Sequence, residues 1–331
     1  MLDVYYERIH KENNFLDYVL FVSFFPQVAS GPISKACELL PQIKTAKTFN
    51  YDQAVSGLRY LLWGMFLKVA LADRTGIYVD TVFSEYSKFS GAGCFIGSLL
   101  YSVQIYADFA GYSLMAVGLG KTLGFNLINN FYRPYFSVSI TDFWRRWHIS
   151  LSRWLKDYVY IPMGGSRCSK QRNYWNIFVT FLVSGIWHGA NWTFIVWGIL
   201  HGICQIFEKI FGWNKKDYHG VARFSRILLT FLIVTIAWTI FRSPSIDEAS
   251  HYLARYMTSQ GNLLAEGSTL FYIVIAFIPV LIYEVLTEFF PSVYKIIIGK
   301  QLFRWTVYLG LFTTIMLLGV FDGSSFIYVS F

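Results

Sequence analysis

The sequence has few charged residues for a chain of its length. Only 15% of its 331 residues are Asp, Glu, Lys or Arg, whereas an average soluble domain has about 25%. Hydrophobic residues make up 55% of the chain and aromatic residues 20%. Most side chains therefore favour lipid over water. We expect an all-α, polytopic integral membrane protein rather than a soluble globular one.

Several motifs for metal, nucleotide and serine chemistry are also missing. The four cysteines, Cys37, Cys94, Cys168 and Cys204, lie far apart without a Cys-x-x-Cys pair, and HExxH is absent, so we expect no metal site. The stretch "GLGKT" (118–122) has Met115 where a phosphate-binding loop requires glycine. "GYSLM" (111–115) lacks the final glycine of a serine nucleophile elbow. A zinc protease, a nucleotide hydrolase and a serine esterase are disfavoured.

Apolar runs recur along the whole chain. They are Ala54–Leu67, Cys94–Ala107, Ile177–Trp187, Trp192–Phe211, Ile227–Phe241, Thr269–Tyr283 and Trp305–Phe321. Several are shorter than the roughly 20 residues that cross a bilayer unaided, so we expect some broken or re-entrant helices. No linker divides the chain, and we predict one transmembrane domain over residues 1–331.

The positive charge is concentrated in one region. The net charge is +8, and Thr141–Arg172 has seven basic residues against two acidic ones. Basic residues beside membrane segments indicate the cytoplasmic face, near anionic lipid headgroups, and we expect no nucleic-acid partner. Apolar residues recur at three- and four-residue steps over 139–159, which predicts one amphipathic helix along the interface.

The stretch "SGIWHGANW" (184–192) contains the first candidate catalytic residue, His188. Only eleven apolar residues precede it, about 16 Å of helix or half of a hydrocarbon core. Gly185 and Gly189 flank it and would permit a broken helix near mid-membrane. An imidazole in a cavity there could exchange protons near neutral pH. His148, forty residues earlier, is the expected partner, or alternatively it only anchors its own helix.

Asp108 lies within 93–120, a segment long enough to span the membrane. A carboxylate at that depth is expensive unless it faces protein or water, so it is a candidate functional residue. The alternative is a structural bond between Asp108 and a neighbouring helix.

Six stretches of the chain carry a recognisable pattern: "FFPQVASGPI" (24–33), "LLWGMFLKVALADR" (61–74), "QIYADFAGYSLMAVGLGKTLGF" (104–125), "NFYRPY" (130–135), "DFWRRWHISLSRWLKDYVYIPMGGSR" (142–167) and "SGIWHGANWTFIVWGILHG" (184–202). In these stretches the chain resembles the membrane-bound O-acyltransferases, and within them the bacterial alginate and peptidoglycan O-acetyltransferase branch. The resemblance implies helices around a tunnel, with His188 as the catalytic residue and His148 as its companion.

The resemblance also implies a reaction. An acyl group, most simply acetyl, would pass from a cytoplasmic thioester such as acetyl-CoA to hydroxyls of an exported polysaccharide, with no tightly bound cofactor. His188 would be the general base. The candidate substrate-binding residues are Asp108, Arg145, Arg146, Trp187 and Asn191. The expected location is the cytoplasmic (inner) membrane, with an extracytoplasmic SGNH-type acyltransferase as partner.

Other readings stay open. D-alanyl transfer to teichoic acid from a carrier protein is one, and a transporter using Asp108, Lys68 and the histidines is another. A non-catalytic scaffold is a third. The chain departs from the family pattern in having Leu114 where many members carry an acidic residue. The resemblance also leads us to expect that the chain corresponds to the family without its N-terminal helices.

Overall fold

The computed structural model describes residues 2–28, 31–265 and 267–321, in which the regular secondary structure is helical, with one isolated bridge between Phe89 and Asn262. The α-helices are, in chain order, α1 (Leu2–Tyr5), α2 (Phe15–Val22), α3 (Phe25–Val28), α4 (Ala36–Lys44), α5 (Tyr51–Met65), α6 (Asp73–Ser84), α7 (Gly91–Thr122), α8 (Ile140–Arg146), α9 (Ile149–Leu155), α10 (Lys170–His188), α11 (Trp192–Ile210), α12 (Gly220–Arg242), α13 (Ile246–Arg255), α14 (Gly267–Phe289), α15 (Pro291–Gly299) and α16 (Gln301–Leu318). Two π-helical segments, Phe66–Ala72 and Lys156–Tyr160, follow α5 and α9 directly. The all-α prediction is confirmed.

Five helical segments of the described residues are long and apolar enough to cross a membrane. They are Tyr51–Ser84, Trp192–Ile210, Gly220–Arg242, Gly267–Phe289 and Gln301–Leu318. The first comprises α5, the π segment and α6 as one continuous run of 34 residues. The prediction of a polytopic membrane protein is confirmed by these helices.

Glycines let α5 and α7 pack with their backbones almost in contact. A Cβ atom on Gly64 would lie 2.6 Å from the carbonyl oxygen of Gly111, and one on Gly118 would lie 2.7 Å from that of Gly57. Gly57 and Gly64 are seven residues apart on α5, and Gly111 and Gly118 are seven residues apart on α7. The close contact therefore repeats on one face of each helix. In lipid, where the hydrophobic effect does not drive helices together, such close backbone approach is a main source of helix association.

The helices α10 and α11 form a hairpin of the same close-packed kind. A Cβ atom on Gly185 would lie 2.4 Å from the carbonyl oxygen of Phe194, and one on Gly198 would lie 2.4 Å from that of Phe181. The connecting turn is three residues long, from Gly189 to Asn191. This hairpin fixes the depth and orientation of His188 relative to α11.

The basic region folds differently from the single helix expected over 139–159. The structure has α8, then a break at Trp147 and His148, then α9 and the π segment. Phe143, Trp147 and Leu151 are all at most 2% exposed, so the apolar periodicity is real. The break changes the direction of the backbone without removing these side chains from the core.

We expect Gly64→Leu to destabilise the protein, because its side chain would collide with the backbone of Gly111. Overpacking of this kind typically costs about 1–3 kcal/mol, which lowers the thermal unfolding midpoint by several degrees. The measurement is a thermal unfolding scan of detergent-purified protein. Gly310→Leu is the matched control, since no atom lies within 4 Å of a Cβ there. Equal midpoints for the two variants would contradict the proposed packing.

Candidate active site

His188 is the last residue of α10, at the point where the helix breaks. Gly189 follows with φ +150° and ψ 172°, a conformation that favours glycine because it has no Cβ. Asn191 then caps α11, since its side-chain oxygen accepts the N–H of Thr193 at 3.1 Å. Its amide also donates to the carbonyl oxygen of Pro244 at 2.8 Å. The structure therefore has the helix break that the two glycines predicted.

Aromatic rings surround His188. Its ring centroid lies 5.0 Å from that of Trp187, 5.1 Å from that of Trp197 and 5.2 Å from that of Phe241. The residue is half-buried, and the neighbouring Trp187 is 53% exposed. His188 thus combines an apolar surround with access from the side of Trp187.

His148 lies at the start of α9 and is only 5% exposed. Its ring is edge-on to Phe109, with ring centroids 4.6 Å apart, and its centroid lies 6.4 Å from that of Trp187. Burial, and to a lesser extent the nearby His188, lowers the pKa of His148 to about 3. The imidazole is therefore neutral at physiological pH. Both histidines contact Trp187, so the structure brings the two predicted catalytic side chains into one region.

A cavity of about 430 Å³ opens between α8, α9, α10 and α11. It is lined by Thr141, Trp144, Arg145, Ser152, Leu155, Lys156, Tyr160, Ile177, Thr180, Phe181, Ser184, Gln205, Lys209 and Asn214. Three of these residues are basic, and none of the described lining residues is Asp or Glu. The volume is within the range of small-molecule sites, and the charge favours an anionic occupant.

Ser184 is the cavity-lining residue that lies nearest to His188 along the chain. It precedes His188 by four residues in α10, so the two side chains lie on the same helix face one turn apart. Ser184 is 0% exposed, and its hydroxyl has no hydrogen-bond partner among the described residues. Ser184 therefore places a buried hydroxyl at the cavity wall, one helical turn from His188.

Arg146 has a structural environment that its neighbour Arg145 lacks. It contacts Asp142 at 3.1 Å and Glu288 at 3.1 Å. Glu288, at the end of α14, also pairs with Arg133 at 3.2 Å and Arg223 at 2.9 Å. This cluster attaches α14 to the basic region. Arg145 instead lines the cavity, with no ion pair among the described residues.

Asp108 is buried in an ion cluster. Its carboxylate lies 2.7 Å from the ammonium nitrogen of Lys68, which also lies 2.6 Å from Asp73. Lys68 belongs to the π segment between α5 and α6. These contacts correspond to the structural alternative for Asp108. Substrate roles for Asp108, Arg146 and Asn191 stay predictions, because the contacts described for each hold the fold together.

Sequence reasoning did not identify Lys156, Lys209 and Ser184 as cavity residues. Lys156 was one of seven basic residues in its region, and Lys209 and Ser184 lie in apolar helices without a distinguishing pattern. The i, i+4 spacing of Ser184 and His188 was the one available signal. In an α-helix, residues at this spacing have their side chains on the same face.

The spanning helices, together with two histidines that lie near one another at helix breaks, define a polytopic membrane protein with a candidate site among its helices. The model of the MBOAT, membrane-bound O-acyltransferase family, matches residues 5–246. The chain belongs to this family.

Curated relatives carry related names. The chain is 43% identical over 250 residues to a probable alginate O-acetylase of Pseudomonas syringae, and the matched region covers 75% of this chain and 47% of the relative. It is 42% identical over 240 residues to a peptidoglycan O-acetyltransferase of Helicobacter pylori, covering 72% and 46%. It is 31% identical over 242 residues to a teichoic acid D-alanyltransferase of Bacillus subtilis, covering 67% and 60%. The chain spans about half the length of the O-acetylating relatives.

We expect Arg146→Met to destabilise the protein and Arg145→Met to leave stability near parental. Removing one partner of a buried ion pair typically costs about 3–5 kcal/mol, because the remaining charge is left uncompensated, and the partial exposure of Arg146 puts the expected effect below that range. Thermal unfolding of the purified variants in detergent measures the difference. A destabilised Arg145→Met or an unaffected Arg146→Met would contradict the assignment.

Proposed function

We propose that this protein is a membrane O-acyltransferase that moves an acetyl group from a cytoplasmic thioester to a hydroxyl of an exported cell-surface polysaccharide. Membership of the O-acyltransferase family supports the reaction class. The observation that carries the proposal is the position of His188 at a helix break, one turn from the inner wall of a basic cavity. In this proposal a thioester bound in the cavity reaches the proton acceptor, His188, from that side.

The chemistry requires one proton acceptor at the attacking hydroxyl. His188 takes the hydroxyl proton while the oxygen attacks the thioester carbonyl carbon and forms the new C–O bond. The C–S bond then breaks, and the departing sulfur receives the proton from the imidazolium. General base catalysis of this kind contributes about 10²- to 10⁴-fold in rate. The products are the O-acyl ester and a free thiol.

His148 has a supporting role in this mechanism. Its burial keeps the ring neutral, and the ring is close to Trp187 beside His188. A neutral imidazole can donate one hydrogen bond and accept another. It therefore orients the thioester or assists departure of the thiol without adding a second positive charge next to His188.

The basic cavity is the proposed entrance for the donor. Coenzyme A and phosphopantetheine carriers bear phosphate groups, and Arg145, Lys156 and Lys209 supply cations around the opening. Trp144 and Phe181, whose ring centroids lie 5.3 Å apart, form an apolar part of the same cavity wall. An anionic head and an uncharged thioester arm match this distribution. The same cations also favour the cytoplasmic side of the bilayer.

Acetyl transfer is favoured over D-alanyl transfer by similarity. The two relatives named for O-acetylation are 42–43% identical to this chain, whereas the D-alanyltransferase is 31% identical. We further propose residence in the cytoplasmic membrane of the cell and cooperation with an extracytoplasmic SGNH-type acyltransferase. Family membership also favours a transferase over the transport and scaffold alternatives.

We expect His188→Ala to reduce polysaccharide acetylation by at least about 10²-fold, because the reaction loses its general base. The assay is release of acetate from purified surface polysaccharide of a deletion strain that expresses each variant at equal membrane abundance. His219→Ala, an exposed histidine before α12, is the control and should acetylate normally. Parental acetylation by His188→Ala would disprove the proposed role.

We expect Lys156→Glu to raise the KM for acetyl-CoA by about three- to tenfold with little change in kcat. Lys156 is exposed at the cavity rim, so reversing its charge repels an anionic donor without altering the histidines. Initial rates of detergent-purified protein with increasing acetyl-CoA measure the effect. Lys170→Glu makes the same charge change outside the cavity and should leave KM unchanged. If both variants change the KM for acetyl-CoA equally, or if neither changes it, the cavity is not the donor entrance.

A further inference from the structure

The turn that presents His148 has an uncommon backbone conformation. His148 has φ +42° and ψ 55°, the left-handed helical region, which non-glycine residues rarely adopt. The residue occupies the N-cap position of α9. A different backbone conformation there would point the imidazole away from Phe109 and Trp187.

An N-cap residue normally uses its own side chain to bond the first free N–H groups of its helix. His148 makes no such bond. Its side chain is packed against Phe109 instead, with ring centroids 4.6 Å apart. The first amides of α9 therefore need an acceptor from elsewhere in the chain.

Asn130 supplies that acceptor twice. Its backbone oxygen accepts the N–H of Ile149 at 3.0 Å, and its side-chain oxygen accepts the N–H of Ser150 at 3.1 Å. Asn130 is only 1% exposed. These two bonds fix the peptide groups that directly follow His148, and so they restrict its ψ angle.

A third bond fixes the chain on the other side of the turn. The N–H of Tyr132 donates to the carbonyl oxygen of Arg146 at 2.9 Å. The segment from Asn130 to Tyr132 therefore bonds to residues both before and after His148. The left-handed conformation of His148 is held between these two attachments.

We propose that Asn130 is a positioning residue that caps α9 in place of His148 and thereby holds the imidazole next to Trp187 and His188. This inference rests on the proposed function, since it assigns His148 a part in acyl transfer. The hydrogen bonds described for Asn130 are to peptide groups of this turn. Asn130 acts through the backbone of the turn.

The alternative is that Asn130 only adds stability. Asn50 offers a matched comparison, because its side-chain oxygen caps α5 by accepting the N–H of Gln53 at 2.9 Å, far along the chain from the histidines. Ser150 offers a second comparison. Its hydroxyl is buried in the same turn without a partner among the described residues, while its N–H bonds to Asn130.

The test measures kcat and KM for acetyl-CoA of the purified full chain. Asn130→Ala should lower kcat by about tenfold and leave KM near parental, because displacement of a catalytic group by about 1 Å costs up to about 10²-fold in rate. Asn130→Asp keeps the side-chain acceptor oxygen that Asn130→Ala removes, and it should recover most of kcat. Asn50→Ala and Ser150→Ala should retain parental kcat.

A second arm asks whether the effect passes through His148. In a His148→Gln background with measurable residual activity, adding Asn130→Ala should cause no further loss of kcat. Hydrogen exchange of the peptide covering residues 149–155 should be faster in Asn130→Ala than in Asn50→Ala. If Asn130→Ala does not accumulate, Asn130→Gln, which moves the amide oxygen by one methylene, takes its place with the same expected results.

The outcomes separate this inference from the function itself. Three results would overturn the positioning role while leaving His188 as base. They are a parental kcat in Asn130→Ala, a loss of kcat in Asn130→Asp equal to that in Asn130→Ala, and a further loss when Asn130→Ala is added to His148→Gln. Full activity of His188→Ala overturns the proposed function. In that case faster exchange over residues 149–155 shows only a structural cap, and the positioning role falls with the function.

Discussion

Helix ends inside this protein leave backbone N–H and C=O groups that lipid cannot satisfy, and this constraint determines where both histidines lie. The helix α10 ends at His188, and α11 begins at once because Asn191 caps it. The helix α9 begins at His148 because Asn130 accepts its first amides. In each case a neighbouring asparagine makes the cap. The breaks that carry the imidazoles are therefore compatible with a protein interior surrounded by lipid.

The basic region serves two separate purposes that its composition alone does not distinguish. Consecutive residues of a helix point about 100° apart, so Arg145 and Arg146 face different surroundings. Arg146 completes a carboxylate cluster with Glu288 that attaches α14 to α8, whereas Arg145 lines the cavity. Part of the positive charge stabilises the fold, and the remainder is available to an anionic molecule.

Much of the fold was predictable because the bilayer imposes simple rules. Low charge and repeated apolar runs indicated a helical membrane protein, and Gly185 with Gly189 indicated a break beside His188. The break at His148 was not predictable from local pattern. Trp147 and Leu151 are both buried on either side of it, so the helical spacing of apolar residues continues through a point where the helix itself stops.

The cause of that break is not local in sequence. Asn130 lies eighteen residues before His148, in the "NFYRPY" stretch, and nothing in the spacing of the two residues indicates that one caps the helix of the other. Periodicity reports which side chains face the core, but it does not report which backbone groups lack partners. The same limit applies to Asp108, because a buried carboxylate in a helix predicts some partner without identifying Lys68. Candidate catalytic histidines can be proposed from sequence motifs, whereas the residues that hold the helix breaks beside them require the three-dimensional hydrogen-bond pattern.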